Sequence, residues 1–446
     1  MSNRAFAGYC RILLIITIGL GSFAAAGAQT TVANAANQIS EFDVNGMKVL
    51  IKRRQGTPTV AAGLFFRGGV RNETTDNIGV EGFALSAATE GSKDYPRQKL
   101  RKATSRVGTG ISSFSSYDYS GLSLASTKQN FDISWQIFVD VALNPTFAAD
   151  DVKRLREQII TAMRSESDDP DSLLENSVEK VVYAGHPYAN DPKGTIENIA
   201  KLSPADLAAY HRKLLETSRM LLVIVGDVDP DVLQKQITVA FGKLPRGSYK
   251  DAAMPAINFA APTLDVTSKA LPTDYVKGTF GAPSLRDPDY YAMQAAIAIL
   301  QKQVFDEVRV KRNLSYAPEA SMGSLSANTG SIYVTSVDPN QSVMIMLSEI
   351  QKLKQEPVGA DRTGEIAGDF LTTYYTKQET NAAQAGELAR YELIGGGWRN
   401  SLEFLTHIRK IQPAEIQAVA NKYMKNIRFV VVGNPADVNR SIFLRN

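Results

Sequence analysis

A duplication constrains this chain more than any other feature. Leu202-Ser203-Pro204-Ala205-Asp206-Leu207 returns 209 residues later as Ile411-Gln412-Pro413-Ala414-Glu415-Ile416. Each copy leads through an amphipathic helix carrying Tyr210 or Tyr423 into an apolar strand that ends in glycine. The first strand is Leu221-Leu222-Val223-Ile224-Val225-Gly226, and the second, 207 residues on, is Phe429-Val430-Val431-Val432-Gly433. Two unrelated segments at nearly one spacing imply a doubled domain of about 200 residues, far beyond the periods of solenoids. Strands open the first half at Lys48-Val49-Leu50-Ile51-Lys52 and Ala61-Ala62-Gly63-Leu64-Phe65-Phe66, and a helical middle follows. The pattern predicts α+β: two similar domains, each a mostly antiparallel sheet with helices packed on one face. The expected boundaries are 37–244 and 263–446, with the Pro-, Ala- and Gly-containing stretch 245–262 as linker. Ser203 before Pro204 is a good helix start, since serine caps an orphan amide and proline has none to satisfy. Gln412 at the matching position is a weaker cap.

The composition narrows the function. With 49 Lys+Arg against 46 Asp+Glu the chain carries +3, which does not suggest a general nucleic-acid binder. Three histidines and one cysteine in 446 residues leave little material for a zinc finger, a disulfide framework or a haem site. Arg4 and Arg11 precede the apolar run Ile12 to Leu20, and small residues end at Ala26-Gly27-Ala28. This reads as a signal peptide, residues 1–28, cut after Ala28. A membrane anchor needs about 20 apolar residues, more than this core offers. Cys10 lies before the apolar core, so it is badly placed for lipidation and leaves with the peptide. A mature chain without cysteine suits an oxidising compartment, the periplasm if the source is a Gram-negative bacterium, with no membrane association after cleavage.

Further markers are Gly185-His186-Pro187-Tyr188, Gly194-Thr195-Ile196-Glu197-Asn198-Ile199 and Val225-Gly226-Asp227-Val228-Asp229-Pro230. The second half adds Asp287-Pro288-Asp289-Tyr290-Tyr291 and the run from Phe305-Asp306-Glu307 through Arg309 to Leu314-Ser315-Tyr316. In order and spacing, over nearly the whole mature chain, these resemble the insulinase and pitrilysin family of zinc peptidases in its two-domain, processing-peptidase-like subunit form. The resemblance implies that two such subunits face one another as a clamshell around a peptide chamber.

The family's signature is His-x-x-Glu-His on a helix, two histidines on one zinc and a glutamate that activates its water, with a distal glutamate as third ligand. The matching segment here runs from Gly79-Val80-Glu81-Gly82-Phe83 to Glu90-Gly91-Ser92. By resemblance the histidine positions fall on Gly82 and Ser86, the catalytic glutamate on Leu85 and the distal glutamate on Ala162. All four lack the family's chemistry, so no metal or other cofactor is expected in this chain. Glu81 precedes the ligand face and Glu90 follows it, so neither is placed to rescue the site. His186, His211 and His407 have no partner histidine at helical spacing and read as packing or surface residues. Ser86 has no activating neighbour and does not read as a nucleophile.

In the family an arginine and a tyrosine seven apart in the C-terminal half reach toward the zinc, hold substrate, and offer a donor to the oxyanion. Arg309 and Tyr316 match that pair. Asn313 between them is a candidate left-handed helix stop that would let a helical Arg309 and a strand-borne Tyr316 converge. The plainer reading makes Arg309, Lys311 and Arg312 a solvated basic helix end and Tyr316 sheet core. Gly395-Gly396-Gly397 reads as a helix-to-helix connection, and no lysine follows it as a phosphate loop would require. Together these features imply a non-catalytic subunit of a heteromeric periplasmic metalloendopeptidase. Its expected partners are an unstructured peptide and a homologous, zinc-bearing chain with an intact motif. The competing reading is a catalytically dead peptide-binding or scaffold protein acting alone or as a homodimer.

Overall fold

The computed structural model describes residues 36–445 except residue 167, so the predicted signal peptide and Cys10 lie outside the described residues. The first half holds strands β1 (Ile39–Val44), β2 (Met47–Arg53), β3 (Thr59–Arg67), β4 (Gly110–Ser115), β5 (Tyr119–Thr127) and β6 (Met220–Gly226). Its helices are α1 (Val80–Ala88), α2 (Arg97–Val107), α3 (Phe131–Leu143), α4 (Ala149–Glu166), α5 (Pro170–Val182), α6 (Ile196–Lys201), α7 (Pro204–Leu214) and α8 (Pro230–Phe241). The second half holds β7 (Thr263–Ser268), β8 (Asp274–Ala282), β9 (Glu319–Met322), β10 (Asn328–Ser336) and β11 (Arg428–Gly433). Its helices are α9 (Tyr290–Val304), α10 (Pro339–Gln355), α11 (Ala360–Lys377), α12 (Asn381–Ile394), α13 (Phe404–Lys410), α14 (Pro413–Tyr423) and α15 (Arg440–Phe443).

The first sheet has the order β1-β2-β6-β3-β5-β4 and the second β7-β11-β8-β10-β9, each antiparallel but for one parallel pair, β2 with β6 and β7 with β11. The repeated apolar strands β6 and β11 are therefore interior strands, and burial of both their faces explains their continuous Val/Leu/Ile runs. No helix or strand lies between α8 and β7, a stretch that includes residues 245–262. Ser203 forms the expected cap, its side chain accepting from the Asp206 amide while Asp206 accepts from the Ser203 amide at 2.8 Å. At Gln412 only the reciprocal half is strong: Glu415 accepts the Gln412 amide at 2.7 Å, and the glutamine side chain turns back to the Lys410 carbonyl.

One face of each sheet packs on its own helices. Phe66, Leu122 and Leu222 meet Phe83, Phe138 and Leu207 in the first half. Phe280, Ile332 and Phe429 meet Met293, Leu300 and Ile416 in the second. The opposite faces are closed by an exchange of helices between the halves, which the sequence did not suggest. On the first sheet Leu50, Phe65, Leu221 and Val223 are covered by Ala385, Leu388 and Ala389 of α12 together with Trp398. On the second, Val430 and Val432 pack against Leu174, Val178 and Val182 of α5. Polar contacts tie the same seams: Lys48 to Glu392 at 2.5 Å, Lys277 to Glu175 at 2.7 Å, and the Tyr333 hydroxyl to Asp171 at 2.6 Å. Buried Asp118 accepts from the Tyr188 hydroxyl at 2.5 Å and from the Ser326 amide, in the other half, at 2.9 Å. The halves thus share one interlocked interior.

Candidate functional site

Helix α1 starts after Gly79, which is left-handed at φ 89° where another residue would be strained. Its first amides are held by the Glu73 carboxylate, which accepts from Gly79 and Glu81, each at 2.9 Å. Burial pushes the Glu73 carboxyl up to about 7 against the pull of those two amides. Glu81, one residue into the helix, points inward rather than toward a site. It is fully buried and accepts from Tyr210 at 2.7 Å, from Arg219 at 3.1 Å and from Ser120. Burial pushes its carboxyl up, with the Arg219 guanidinium the main opposing influence. The second half repeats the device: Tyr423 of α14 donates to Asp289, at the start of α9, at 2.9 Å. Each duplicated tyrosine therefore ties the helix that precedes its half's repeated strand to the start of another helix of the same half, α1 or α9. Glu90 is held by Arg97 at 3.0 Å and by Arg154.

Gly82, Ser86 and Ala162 line one cavity of about 330 Å³ between α1, α4 and β4, together with Phe114, Ser115, Ile159, Met163, Pro192 and Ile199. Leu85 does not join them; it is fully buried in the core beneath. The cavity wall is apolar with a hydroxyl edge, where Ser86 and Ser113 lie 3.1 Å apart. At its rim Lys193 pairs with Glu166 at 2.9 Å. A Cβ at Gly82 would stand 3.2 Å from Ser115 Cβ and 3.2 Å from the Pro192 carbonyl, so even that small addition presses on the wall. Gly82 and Ala162 have no donor atom and Ser86 offers one neutral hydroxyl, a poor match to the nitrogen and carboxylate ligands zinc takes. Among the described residues no group of three or more His, Cys, Asp and Glu is placed to hold a metal. The residues of this site do not fit a zinc ion.

Strand β4 is an edge strand of the first sheet, opposite β1, and runs past this cavity. The Ser116 amide donates to the Tyr119 carbonyl to close the β4–β5 hairpin, so by alternation Ile111, Ser113 and Ser115 direct their amides and carbonyls away from β5. Ser113 and Ser115 also face α1, as their approaches to Ser86 and Gly82 require. An unpaired backbone edge and an apolar cavity thus share one face, and an extended peptide can use both at once. Sequence reasoning did not pick out Ser113, Ser115, Glu166 or Lys193; the short polar alternation Ile111-Ser112-Ser113-Phe114-Ser115 was the available signal.

Arg309 sits on a π-helical turn, Phe305–Val310, that prolongs α9. Asn313 adopts φ 50°, and the Leu314 amide returns to the Val308 carbonyl at 2.9 Å, so the chain reverses there. The reversal brings Tyr316 back beneath Arg309. Its guanidinium donates to the Tyr316 carbonyl at 2.6 Å and lies 4.1 Å from the centre of the tyrosine ring. Tyr316 is not strand-borne, since β9 begins only at Glu319, and it is not sheet core, being 79 % exposed. The neighbouring cations are neutralised separately: Lys311 and Arg312 each pair with Glu307 at 2.5 Å, holding its carboxyl down at about 2. Neither Arg309 nor Tyr316 lines the cavity at Gly82.

The histidines have packing roles. His186 Nδ1 accepts the Tyr188 amide, His407 stacks on Tyr291 at 4.4 Å, and His211 is buried against Phe147. Burial pushes His211 down to about 4. The Gly395–Gly397 run joins α12 to the short turn that carries Trp398.

Residues 48–195 match the insulinase family, peptidase family M16, and residues 201–365 match the peptidase M16 inactive domain. Subunit 1 of the mitochondrial cytochrome b-c1 complex of Bos taurus is 24% identical over 276 residues, 61% of this chain and 57% of that protein. The chain thus spans little more than half the length of that relative. A protease from Helicobacter pylori superposes with a TM-score of 0.81 at 17% identity, covering 89% of this chain and 99% of the other. The first half of the periplasmic protease PqqL from Escherichia coli gives 0.74 at 16%, covering 91% and 95%.

Proposed function

Because the chain belongs to the insulinase (M16) peptidase family, we propose that it is a non-catalytic periplasmic subunit that forms half of a peptide chamber and serves a zinc-bearing partner. One observation carries this reading: Gly82, Ser86 and Ala162, the positions that the resemblance gives to the metal ligands, wall one cavity, while Tyr316 stands exposed with the Arg309 guanidinium against its ring. The hydrolytic centre then belongs to a homologous chain with an intact His-x-x-Glu-His motif. Periplasmic location is supported by the signal-peptide pattern at the N-terminus and by the likeness to a protease described as periplasmic.

In this reading an extended peptide pairs with the free edge of β4 and settles a side chain in the cavity beside Gly82. Arg309 holds a peptide carbonyl, and the Tyr316 hydroxyl donates to the oxygen on which charge develops at the partner's site. Their mutual stacking holds both side chains in place before substrate arrives, which reduces the ordering cost of binding. Coexpression with a zinc-motif homologue from the same source, followed by size measurement, tests the assembly. A stable species near twice the subunit mass is expected. Separate monomers at micromolar concentration overturn it in favour of a lone scaffold.

A further inference from the structure

The charge of this chain is unevenly distributed. Residues 93–106, which contain most of α2, hold Lys93, Arg97, Lys99, Arg101, Lys102 and Arg106 against the single acid Asp94. That local excess of five exceeds the +3 of the whole chain, so the remaining residues are net negative. Arg97 is engaged by Glu90 and Asp151 at 3.0 and 3.1 Å. Among the described residues the other five cations take no ion pair, and all five are exposed.

The helix geometry gathers this charge. Leu100 and Val107 face inward, Leu100 packing on Ile137 and Val141 of α3. Lys99, Lys102 and Arg106, spaced three and four apart, therefore form one stripe on the outer side. Lys99 lies over the ring of Tyr95 at 5.0 Å. Asn130 donates to the Val107 carbonyl at 2.9 Å, bringing the start of α3 against the end of α2. Ile133, one turn before Ile137 on α3, is 44 % exposed. The surface thus combines an unpaired basic stripe with a tyrosine at one end and an exposed isoleucine near the other.

We propose that α2 is a peripheral membrane-attachment surface that docks on anionic phospholipid headgroups. A flat array of unpaired Lys and Arg on an otherwise net-negative protein is complementary to a negative lipid plane and orients the molecule with α2 toward it. Tyr95 and Ile133 are suited to the headgroup boundary. The attachment is electrostatic and reversible, since the apolar side of α2 is already spent on α3. It departs from the sequence expectation that the cleaved chain leaves the membrane, and it does not depend on the chamber reading.

Each Lys or Arg near an anionic surface raises partitioning by about fivefold. Three proteins with the same N-terminus are compared by vesicle sedimentation: wild type, Lys99→Glu/Lys102→Glu/Arg106→Glu, and the charge-matched control Arg212→Glu/Lys213→Glu/Lys235→Glu. Vesicles are phosphatidylcholine alone or with about a third phosphatidylglycerol, at about 0.05 and 0.3 M salt. Circular dichroism melts establish that all three fold. Wild type and control should bind the anionic vesicles at low salt, with at least about 100-fold loss in the α2 variant and loss of wild-type binding at high salt. Any binding through the N-terminal apolar stretch shows on the neutral vesicles and is common to all three. The proposal is overturned if wild type prefers neither vesicle, if both triple variants lose binding equally, or if wild type binds DNA or polyglutamate but not anionic vesicles.

Discussion

Replacing Gly82 and Ser86 by histidine and Ala162 by glutamate should give the protein a zinc site that cannot hydrolyse peptide. The three positions share a cavity, whereas Leu85 lies in the core, so a base is left out deliberately and binding is separated from catalysis. The cost is set by Gly82, whose added Cβ would meet Ser115 and Pro192 at 3.2 Å. Overpacking of that kind costs about 1–3 kcal/mol, so the metal-free triple variant should melt lower than wild type. Zinc at about a hundred times its dissociation constant returns about 2.7 kcal/mol. Because the two halves interlock and melt as one unit of about 400 residues, that raises the melting temperature by roughly 3 °C. Metal analysis should find one zinc per chain, melting should depend on zinc and reverse with chelator, and Gly82→His alone should show neither. A folded triple variant that takes up no zinc would refute the placement of these residues on one metal-sized face.

Removing one partner of the buried Glu81–Arg219 pair, by Glu81→Leu, should cost about 3–5 kcal/mol in urea unfolding, whereas Ser120→Ala should cost only about 1. Leu388→Ala in α12 should cost about 2–5 kcal/mol and lower the stability of both halves in a single transition, since α12 covers the first sheet; a transition confined to the second half would contradict the exchange. Glu73 and His211 should oppose each other in the pH dependence of stability. The raised Glu73 carboxyl, about 7 when folded, makes stability fall as pH rises from about 4.5 to 7, and the lowered His211, about 4 when folded, makes it fall as pH drops from about 6.5 to 4. Each effect amounts to up to about 3 kcal/mol, so in melts taken between pH 4.5 and 6.5 the stability of Glu73→Gln should rise more steeply with pH than that of wild type, and that of His211→Asn should rise less steeply or fall.

The parts of the architecture readable in the sequence were those written in local chemistry. The proline-led helices and the apolar strands that follow them announced the duplication, and Ser203 announced its own cap. The left-handed stop at Asn313 followed from residue type, and the structure has φ 50° there. The exchange of α5 and α12 was not legible, because an amphipathic helix shows that it buries a face but not which sheet receives it. The expected convergence of Arg309 and Tyr316 is present, but Tyr316 precedes the strand instead of lying on it; the guanidinium of Arg309 provides its packing, and the ring stays in solvent. Glu81 read only as an acid that precedes the ligand face, and its buried role was not legible because its partners Tyr210 and Arg219 lie more than a hundred residues away. The cavity's remaining wall comes from β4 and the loop at Pro192, and contacts between such distant segments leave no spacing pattern in the sequence.

A role for Arg309 and Tyr316 at a partner's catalytic site is tested directly by the turnover of the assembled complex. Wild-type and Tyr316→Phe chains would each be coexpressed with the zinc-bearing homologue, matched for zinc content and for size, and compared on one unstructured peptide. Because the tyrosine ring is exposed and the change removes a single hydroxyl, assembly should survive. The predicted result is a fall of about 10²–10³ in kcat with a smaller change in KM, the loss associated with one oxyanion donor. Equal kcat for the two complexes would contradict the account and leave Arg309 and Tyr316 as a surface contact.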